Sequence, residues 1–368
     1  MTSWPRCLPA YFNDRQRQAV HEAGREVGLD VVRVINEPTA AAMAYGAGRG
    51  LEETVAVFDL GGGTFDVSVI EISDDTFEVK ATGGDLFLGG LDFDESLVQF
   101  ILGEFATQSD VDLTTDPVAM QRIRDTAEQA KIDLSSRAEV PFNVPFVTMT
   151  ESGQPVNIDL VLKREDIDLL CEPLIDRTFE TCLKVCEDAG VQPNELDQII
   201  LVGGQTRMPL IAARVATIFG REASKMIHPD EAVAVGAALY ASSLQEGSTL
   251  ELQLLDVLPM AIGIEGANGT LHRLFEKNAS VPNQQVFNFT THKDNQVDMV
   301  MRLYQGNDDT ASNNTLLGEF TFSGIRPGAA GSVRLEVTFD VSVEGILSLA
   351  ARDLDTGAEM HQTVRFGR

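Results

Sequence analysis

Asp59–Asp66, DLGGGTFD, is the stretch on which the fold turns. Thr54–Asp59 ahead of it reads as an apolar strand and Asp66–Ile72 behind it as a returning strand, which leaves Gly61, Gly62 and Gly63 to make the turn. Glycine reaches positive φ at little cost, so such a turn can aim successive backbone N–H groups into one concavity and hold an anion. Asp59, at a strand end, is placed to orient water on Mg²⁺, an ion that keeps much of its hydration and takes few carboxylates. The Thr64 hydroxyl would face a terminal phosphate. A ligand-free glycine hairpin is the alternative, and the flanking Asp59, Thr64 and Asp66 argue against it. No GxxxxGK[ST] string occurs, so the turn is not a P-loop.

Outward from this turn, strand and helix alternate. Asp74-Asp75 reverses the chain into Phe77–Ala81, which makes an antiparallel meander. Upstream, Asn13–Gly28 carries a helical pattern, Val31–Ile35 a short buried strand and Pro38–Gly46 a helix of small residues suited to close packing. Downstream, Leu91–Phe105 and Pro117–Leu134 are helical, and Arg164–Ala189 is the longest helix, with Ile167, Leu170, Leu174, Ile175, Phe179, Leu183 and Cys186 on its expected buried stripe. Gln198–Val202 reads as a buried strand that stops at Gly203-Gly204 before the helix Pro209–Phe219, a second edge where a ligand approaches backbone closely. Glu128 and Lys131, one turn apart, default to a solvated pair. The helix expected over Pro229–Leu244 sets Asp230-Glu231 against its N-terminal dipole.

The pattern changes after Leu244. Gln245–Ser248 is a polar break, and no helical period follows as far as Arg368. Val333, Leu335, Val337, Phe339, Val341 and Val343 alternate with polar residues, Glu344-Gly345 turns the chain into Ile346–Ala350, and Val297–Leu303 repeats the alternation. The expected organisation is therefore an α/β region over 1–247, a linker over 248–257 and an all-β sandwich over 258–368.

Bulk composition narrows the function. The 368 residues are 43% hydrophobic with a formal net charge of −28, and with no basic cluster that charge excludes a nucleic-acid partner. The four cysteines (Cys7, Cys171, Cys182, Cys186) lack CxxC spacing and point to packing thiols in a reducing, cytoplasmic setting. The five histidines show no ligand spacing, HExxH and GxSxG are absent, and the longest apolar run, near Ala232–Ala241, is too short to cross a bilayer.

The two glycine edges, with INEPTAAA (Ile35–Ala42), LPAYFNDRQRQA (Leu8–Ala19), LGGLDFD (Leu88–Asp94), HPDEAVAVGAA (His228–Ala238) and LPMAIGIE (Leu258–Glu265), closely resemble the seventy-kilodalton heat-shock chaperone family, the DnaK type, from Leu8 almost to Arg368. The resemblance implies an actin-like (ribonuclease H-like) ATPase domain followed by the sandwich, with ATP/ADP and Mg²⁺ as cofactors. It implies that Gly61, Gly62, Gly63 and Thr64 hold the β- and γ-phosphates, that Asp59 serves Mg²⁺ through water, and that Glu37 orders the attacking water. Gly203, Gly204 and Arg207 would border the adenine; Glu128, Lys131 and Ser135 would contact the adenosine, and Asp230 would lie near the sugar. Pro9 and Arg17 match a relay between domains, and Leu250–Asp256 matches a linker, with Leu252, Leu254, Leu255 and Asp256, that docks as an added strand when ATP is bound. Glu251 and Gln253 stand where that linker is apolar, which weakens the expected docking. Ile264, Phe289, Met299, Met301 and Ile346 match a groove for extended apolar polypeptide, with Ala267 and His292 arching over it. Partners implied are unfolded polypeptides, a J-domain co-chaperone and a nucleotide-exchange factor, with neither nucleic acid nor membrane.

The family's opening phosphate loop with its catalytic lysine, and its closing helical lid, have no counterpart string in these residues. At about 1.5–3 kcal/mol for each charge-assisted hydrogen bond to phosphate, the expectation is weak nucleotide binding, near-background hydrolysis and fast peptide exchange. Two alternatives stand beside an ATP-driven chaperone: a lid-less peptide-binding module with a vestigial nucleotide domain, and an actin-fold small-molecule kinase.

Overall fold

The computed structural model of the protein describes residues 3–150 and 152–365. In chain order the elements are β1 (Ser3–Leu8), α1 (Asp14–Glu26), β2 (Asp30–Asn36), α2 (Glu37–Gly46), β3 (Leu51–Leu60), β4 (Phe65–Asp74), β5 (Thr76–Asp85), α3 (Gly90–Ala106), α4 (Pro117–Leu134), β6 (Glu139–Met149), β7 (Pro155–Lys163), α5 (Arg164–Ala189), β8 (Gln198–Val202), α6 (Pro209–Phe219) and α7 (Ala232–Ser243), then strands alone: β9 (Gln253–Val257), β10 (Ile262–Glu265), β11 (Leu271–Phe275), β12 (Ser280–Val281), β13 (Asn283–Thr290), β14 (Asp298–Gln305), β15 (Thr315–Ser323), β16 (Arg334–Val341), β17 (Leu347–Asp353) and β18 (His361–Arg365). No α-helix follows Ser243 among the described residues, as expected; residues 366–368 lie outside them. Two compact units result, one drawn from Met1–Glu53, Ser68–Gly83 and Val233–Arg368, the other from Thr54–Val67 and Gly84–Ala232, within the described residues.

In the first unit, β1 and β2 pair in parallel and α1 connects them. Asn13 caps α1 with a capping box to Gln16, which satisfies two N-terminal N–H groups. The small residues of α2 serve close packing: Ala40, Ala41 and Ala42 are fully buried, and a Cβ on Gly236 of α7 would lie 1.7 Å from the Ala40 carbonyl oxygen. Further on, β11-β10-β14-β15-β18 and β13-β16-β17 form two sheets with antiparallel pairings. Their inward residues, among them Leu303, Phe322, Val337 and Phe339, share one apolar cluster. Val333, Leu335, Val337, Phe339 and Val341 are buried as their alternation demands, whereas Val343 is exposed because β16 has already ended.

The second unit carries the glycine turn between β3 and β4, with β8 parallel to β3. Beneath it Phe58, Phe65, Phe179 and Phe219 form a chain of tilted ring contacts with centroids 4.8, 5.6 and 6.4 Å apart, tying the turn to α5 and α6. Helix α5 ends on Gly190 in the left-handed conformation. Its buried stripe runs through Ile167, Cys171, Ile175, Thr178, Phe179, Cys182 and Cys186, while Leu183 faces outward. Cys171 and Cys182 thus join Cys186, already expected there, on the buried stripe, and burial pushes Cys171 up to about 12 and Cys186 up to about 11, which keeps them inert. The hairpin β6–β7 carries no sequence expectation; Pro141 and Pro145 interrupt its alternation, and a two-stranded sheet, whose strands are both edges, tolerates them.

Candidate functional site

The glycine turn is held from behind rather than by its own dihedrals. None of Gly61, Gly62 and Gly63 has a positive φ, contrary to the expectation from the sequence. Close approach requires glycine at position 89 instead: a Cβ on Gly89 would stand 2.4 Å from Gly63 N and 2.6 Å from Gly62 C. The start of α3 then takes the turn's carbonyls, Gly90 N–H donating to Gly61 O (2.9 Å) and Leu91 N–H to Gly62 O (2.8 Å). With the Gly61 and Gly62 carbonyls turned back, the N–H groups of Gly62, Gly63 and Thr64 donate to no acceptor among the described residues, and a Cβ at Gly62 or Gly63 would meet open space.

Positive φ occurs instead at Gly203, at 84°. A Cβ there would meet Leu60 O at 2.3 Å and Asp59 Oδ1 at 2.9 Å, so the second glycine edge packs directly on the strand end that carries Asp59. Asp59 itself is buried.

Beside both edges lies a cavity of about 400 Å³. Gly61, Gly62, Glu128, Lys131, Ser135, Gly204, Arg207 and Asp230 form its wall, and Asp59, Gly63, Thr64 and Gly203 lie outside that wall on the same turn and strand ends. Glu128, Lys131 and Ser135 share one face of α4, but Lys131 is not a solvated partner of Glu128. Its ammonium donates to Gly90 O (2.9 Å) and pairs with Asp94 Oδ1 (2.9 Å), with both side chains largely buried. Burial raises the Asp94 carboxyl and Lys131 opposes that rise. Arg207 pairs with Asp230 and lies 3.2 Å from His228 Nε2. Helix α7 begins only at Ala232, because residues 228–231 form a turn closed by Glu231 N–H to His228 O; Asp230 thus serves Arg207 rather than a helix dipole. Sequence reasoning missed Gly89, Gly90, Asp94 and Gln205, although the GlyGly before an expected helix was a legible signal.

Glu37 opens α2 in the first unit, where burial raises its carboxyl above the usual range. That unit holds a second cavity, of about 600 Å³, whose wall includes Ile264, Ala267, Phe289, His292, Met299 and Met301. Ile346 is not in that wall; it sits in the β16–β17 turn, where Ser342 N–H donates to its carbonyl (2.9 Å).

The linker residues take part in a sheet. Strand β9 pairs in parallel with β5 (Thr76 with Gln253, Phe77 with Leu254, Glu78 with Leu255) and antiparallel with β12. Gln253 does not impede this, because its backbone N–H makes the bond to Asp75 O (3.0 Å) while its side chain is exposed. Leu252 precedes the strand. Pro9 closes a turn with Phe12. Arg17 is buried and donates to Phe12 O, Ala10 O, Asn36 Oδ1 and Glu344 O, and Asn36 Nδ2 donates to Asp256 Oδ2 (2.7 Å).

Among the described residues no group of three or more His, Cys, Asp and Glu forms a metal cage, and no helix is long and apolar enough to cross a membrane. A family model described as Hsp70 protein matches residues 7–367, and the chain belongs to that family. It is a chaperone of the Hsp70 type, a class with an actin-like ATPase fold, general nucleotide and magnesium binding, and unfolded polypeptides and co-chaperones as partners. Membership sets the small-molecule kinase reading aside.

Proposed function

We propose that the chain is an ATP-dependent chaperone that binds nucleotide at the glycine turn of its second unit and extended apolar segments in the cavity of its first. The observation that carries the nucleotide half is the turn itself, whose N–H groups on Gly62, Gly63 and Thr64 have no acceptor among the described residues and whose Gly61 and Gly62 wall a cavity together with Lys131 and Arg207. ATP supplies the transferable phosphoryl group. The turn's N–H groups would hold its phosphate oxygens as an anion nest does, and the Thr64 hydroxyl would bond the terminal phosphate. Asp59 would hold Mg²⁺ through water, in keeping with that ion's reluctance to dehydrate. For Glu37, a carboxyl of the first unit raised by burial, a role in ordering the attacking water rests on the family resemblance alone.

In the first unit the two sheets form a β-sandwich, and the cavity gathering Ile264, Phe289, Met299 and Met301 supports binding of Leu- or Ile-like side chains beneath the Ala267 and His292 arch. Polypeptide backbone pairing would add affinity that is independent of sequence. Arg17, Pro9 and the β9 strand supply the coupling path, a J-domain protein and an exchange factor complete the cycle, and four free cysteines suit a reducing cytoplasm. Fluorescence anisotropy with a labelled Leu-rich peptide, with and without ATP and Mg²⁺, tests this: binding that weakens when ATP is added supports the reading, and absence of binding at high micromolar protein overturns it.

A further inference from the structure

Helix α6 ends on Gly220 in the left-handed conformation, and residues 222–229 then pass beside the outer edge of β8, which has β3 on its other side. Arg221 anchors the start of this strap by donating to Asp197 O (2.5 Å). Two backbone bonds pin the strap to the edge, Ser224 N–H to Ile199 O (2.7 Å) and Gly203 N–H to Pro229 O (3.3 Å). A regular parallel strand in its place would give Met226 N–H to Leu201 O and take Leu201 N–H on Ser224 O. Instead Met226 N–H turns back onto Ser224 Oγ (3.3 Å), a local side-chain bond that competes with the ladder. Every second residue of a strand turns its backbone groups to the same side, so Leu201 faces the strap as Ile199 and Gly203 do, and the strap gives its N–H and C=O no partner among the described residues.

A cavity of about 690 Å³ lies at this place, within the second unit. Leu201 is the one residue of β8 in its wall; α6 contributes Ala212, Ala213 and Ala216, and the strap contributes Met226 and Ile227. The larger side chains of α6, Ile211, Val215 and Phe219, are buried instead, so the helix meets the cavity with methyl groups and leaves it room. None of these residues belongs to the wall of the nucleotide cavity.

We propose that this cavity is a further small-molecule site, which takes one acylated, uncharged amino-acid residue with an apolar side chain and pairs that residue's N–H and C=O with those of Leu201. The volume falls in the range of drug-sized ligand sites. Charge argues for a neutral ligand: Glu222 and Lys225 pair with each other in solvent (3.0 Å), and His228 lies against Arg207, which leaves no free ion in the wall to recognise an ionic one. The two pins argue for a single residue rather than a strand. From Ile199 to Gly203 the edge runs only about 13 Å, both ends are taken, and the one open residue between them can exchange a single pair of hydrogen bonds. The inference does not rest on the nucleotide or peptide sites proposed above.

The test titrates the whole chain, carrying ¹³C-methyl methionine, with N-benzoyl-leucine methylamide, the Met226 signal being assigned through Met226→Leu. The Met226 methyl signal should move saturably with a Kd of about 100 µM, the ordinary efficiency of a ligand of about 18 heavy atoms. The ester analogue, in which oxygen replaces the leucine N–H, leaves Leu201 O unpaired and should bind at least about tenfold more weakly. Ala216→Phe, which places a ring in the cavity from α6, should abolish the Met226 shift while far-ultraviolet circular dichroism stays that of the parent. An unmoved Met226 signal at millimolar probe overturns the proposal, as does equal affinity for amide and ester, a comparison made on the parent chain and so independent of how Ala216→Phe folds. Movement of the Met299 and Met301 signals alone places the probe in the sandwich cavity and overturns it too, while leaving the peptide-binding reading intact.

Discussion

Gly89→Ala is the substitution for which the structure makes the sharpest demand. Its φ is −163°, extended backbone open to any residue, so no conformational strain is involved and the whole effect is steric. The added Cβ would stand 2.4 Å and 2.5 Å from Gly63 N and Cα, against backbone that cannot rotate away as a side chain would. The turn and the first residues of α3 must separate, which loosens the Gly90-to-Gly61 and Leu91-to-Gly62 hydrogen bonds. Overpacking costs about 1–3 kcal/mol and each loosened bond about 0.5–1.5, so a loss of about 3 kcal/mol is expected. That corresponds to a fall in Tm of about 6–12 °C for a unit of this size. A displaced turn also re-aims the N–H groups of Gly62, Gly63 and Thr64, so binding of a fluorescent ATP analogue should weaken at least about tenfold, roughly 1.4 kcal/mol. Gly103→Ala, a glycine inside α3 with nothing within 4 Å of its added Cβ, is the control and should leave nucleotide affinity unchanged and raise rather than lower Tm. Unchanged Tm and unchanged nucleotide affinity in Gly89→Ala would refute the claim that close approach, rather than backbone dihedrals, requires this glycine.

Lys131→Met leaves the largely buried Asp94 without its ion pair and should lower stability in urea by about 3 kcal/mol, most of which Lys131→Met combined with Asp94→Asn should restore. Ile264→Asp puts a charge into the wall of the 600 Å³ cavity and should weaken Leu-rich peptide binding at least about tenfold in anisotropy, with ATP-analogue binding unaltered. Gln253→Pro deletes the N–H that bonds Asp75 O and should expose the 250–256 stretch to limited proteolysis, whereas Gln253→Ala, which changes only an exposed side chain, should not.

Much of this molecule is legible in one dimension because its signals are local. Periodicity places α4, α5, β8 and α6 at their observed bounds, capping residues mark α1, and the Gly190 stop and the all-β tail follow from residues within a turn of each feature. The family, too, is carried by short strings that survive without any folding argument. Tertiary contacts decided the rest. Which stripe of α5 faces inward, Cys182 rather than Leu183, depended on the neighbours it packs against. Why Gly89 is a glycine depended on Gly62 and Gly63, some 26 residues earlier in the chain, lying against its Cα. Lys131 exchanged an expected solvated partner for Asp94 on another helix, and Asp14, a first-turn residue of α1, became a buried acid because Gln305 and Leu347 closed over it. Hydrophobic period and turn chemistry are properties of a few consecutive residues, whereas burial, ion pairing and the shift of a carboxyl group belong to residues that only folding brings together.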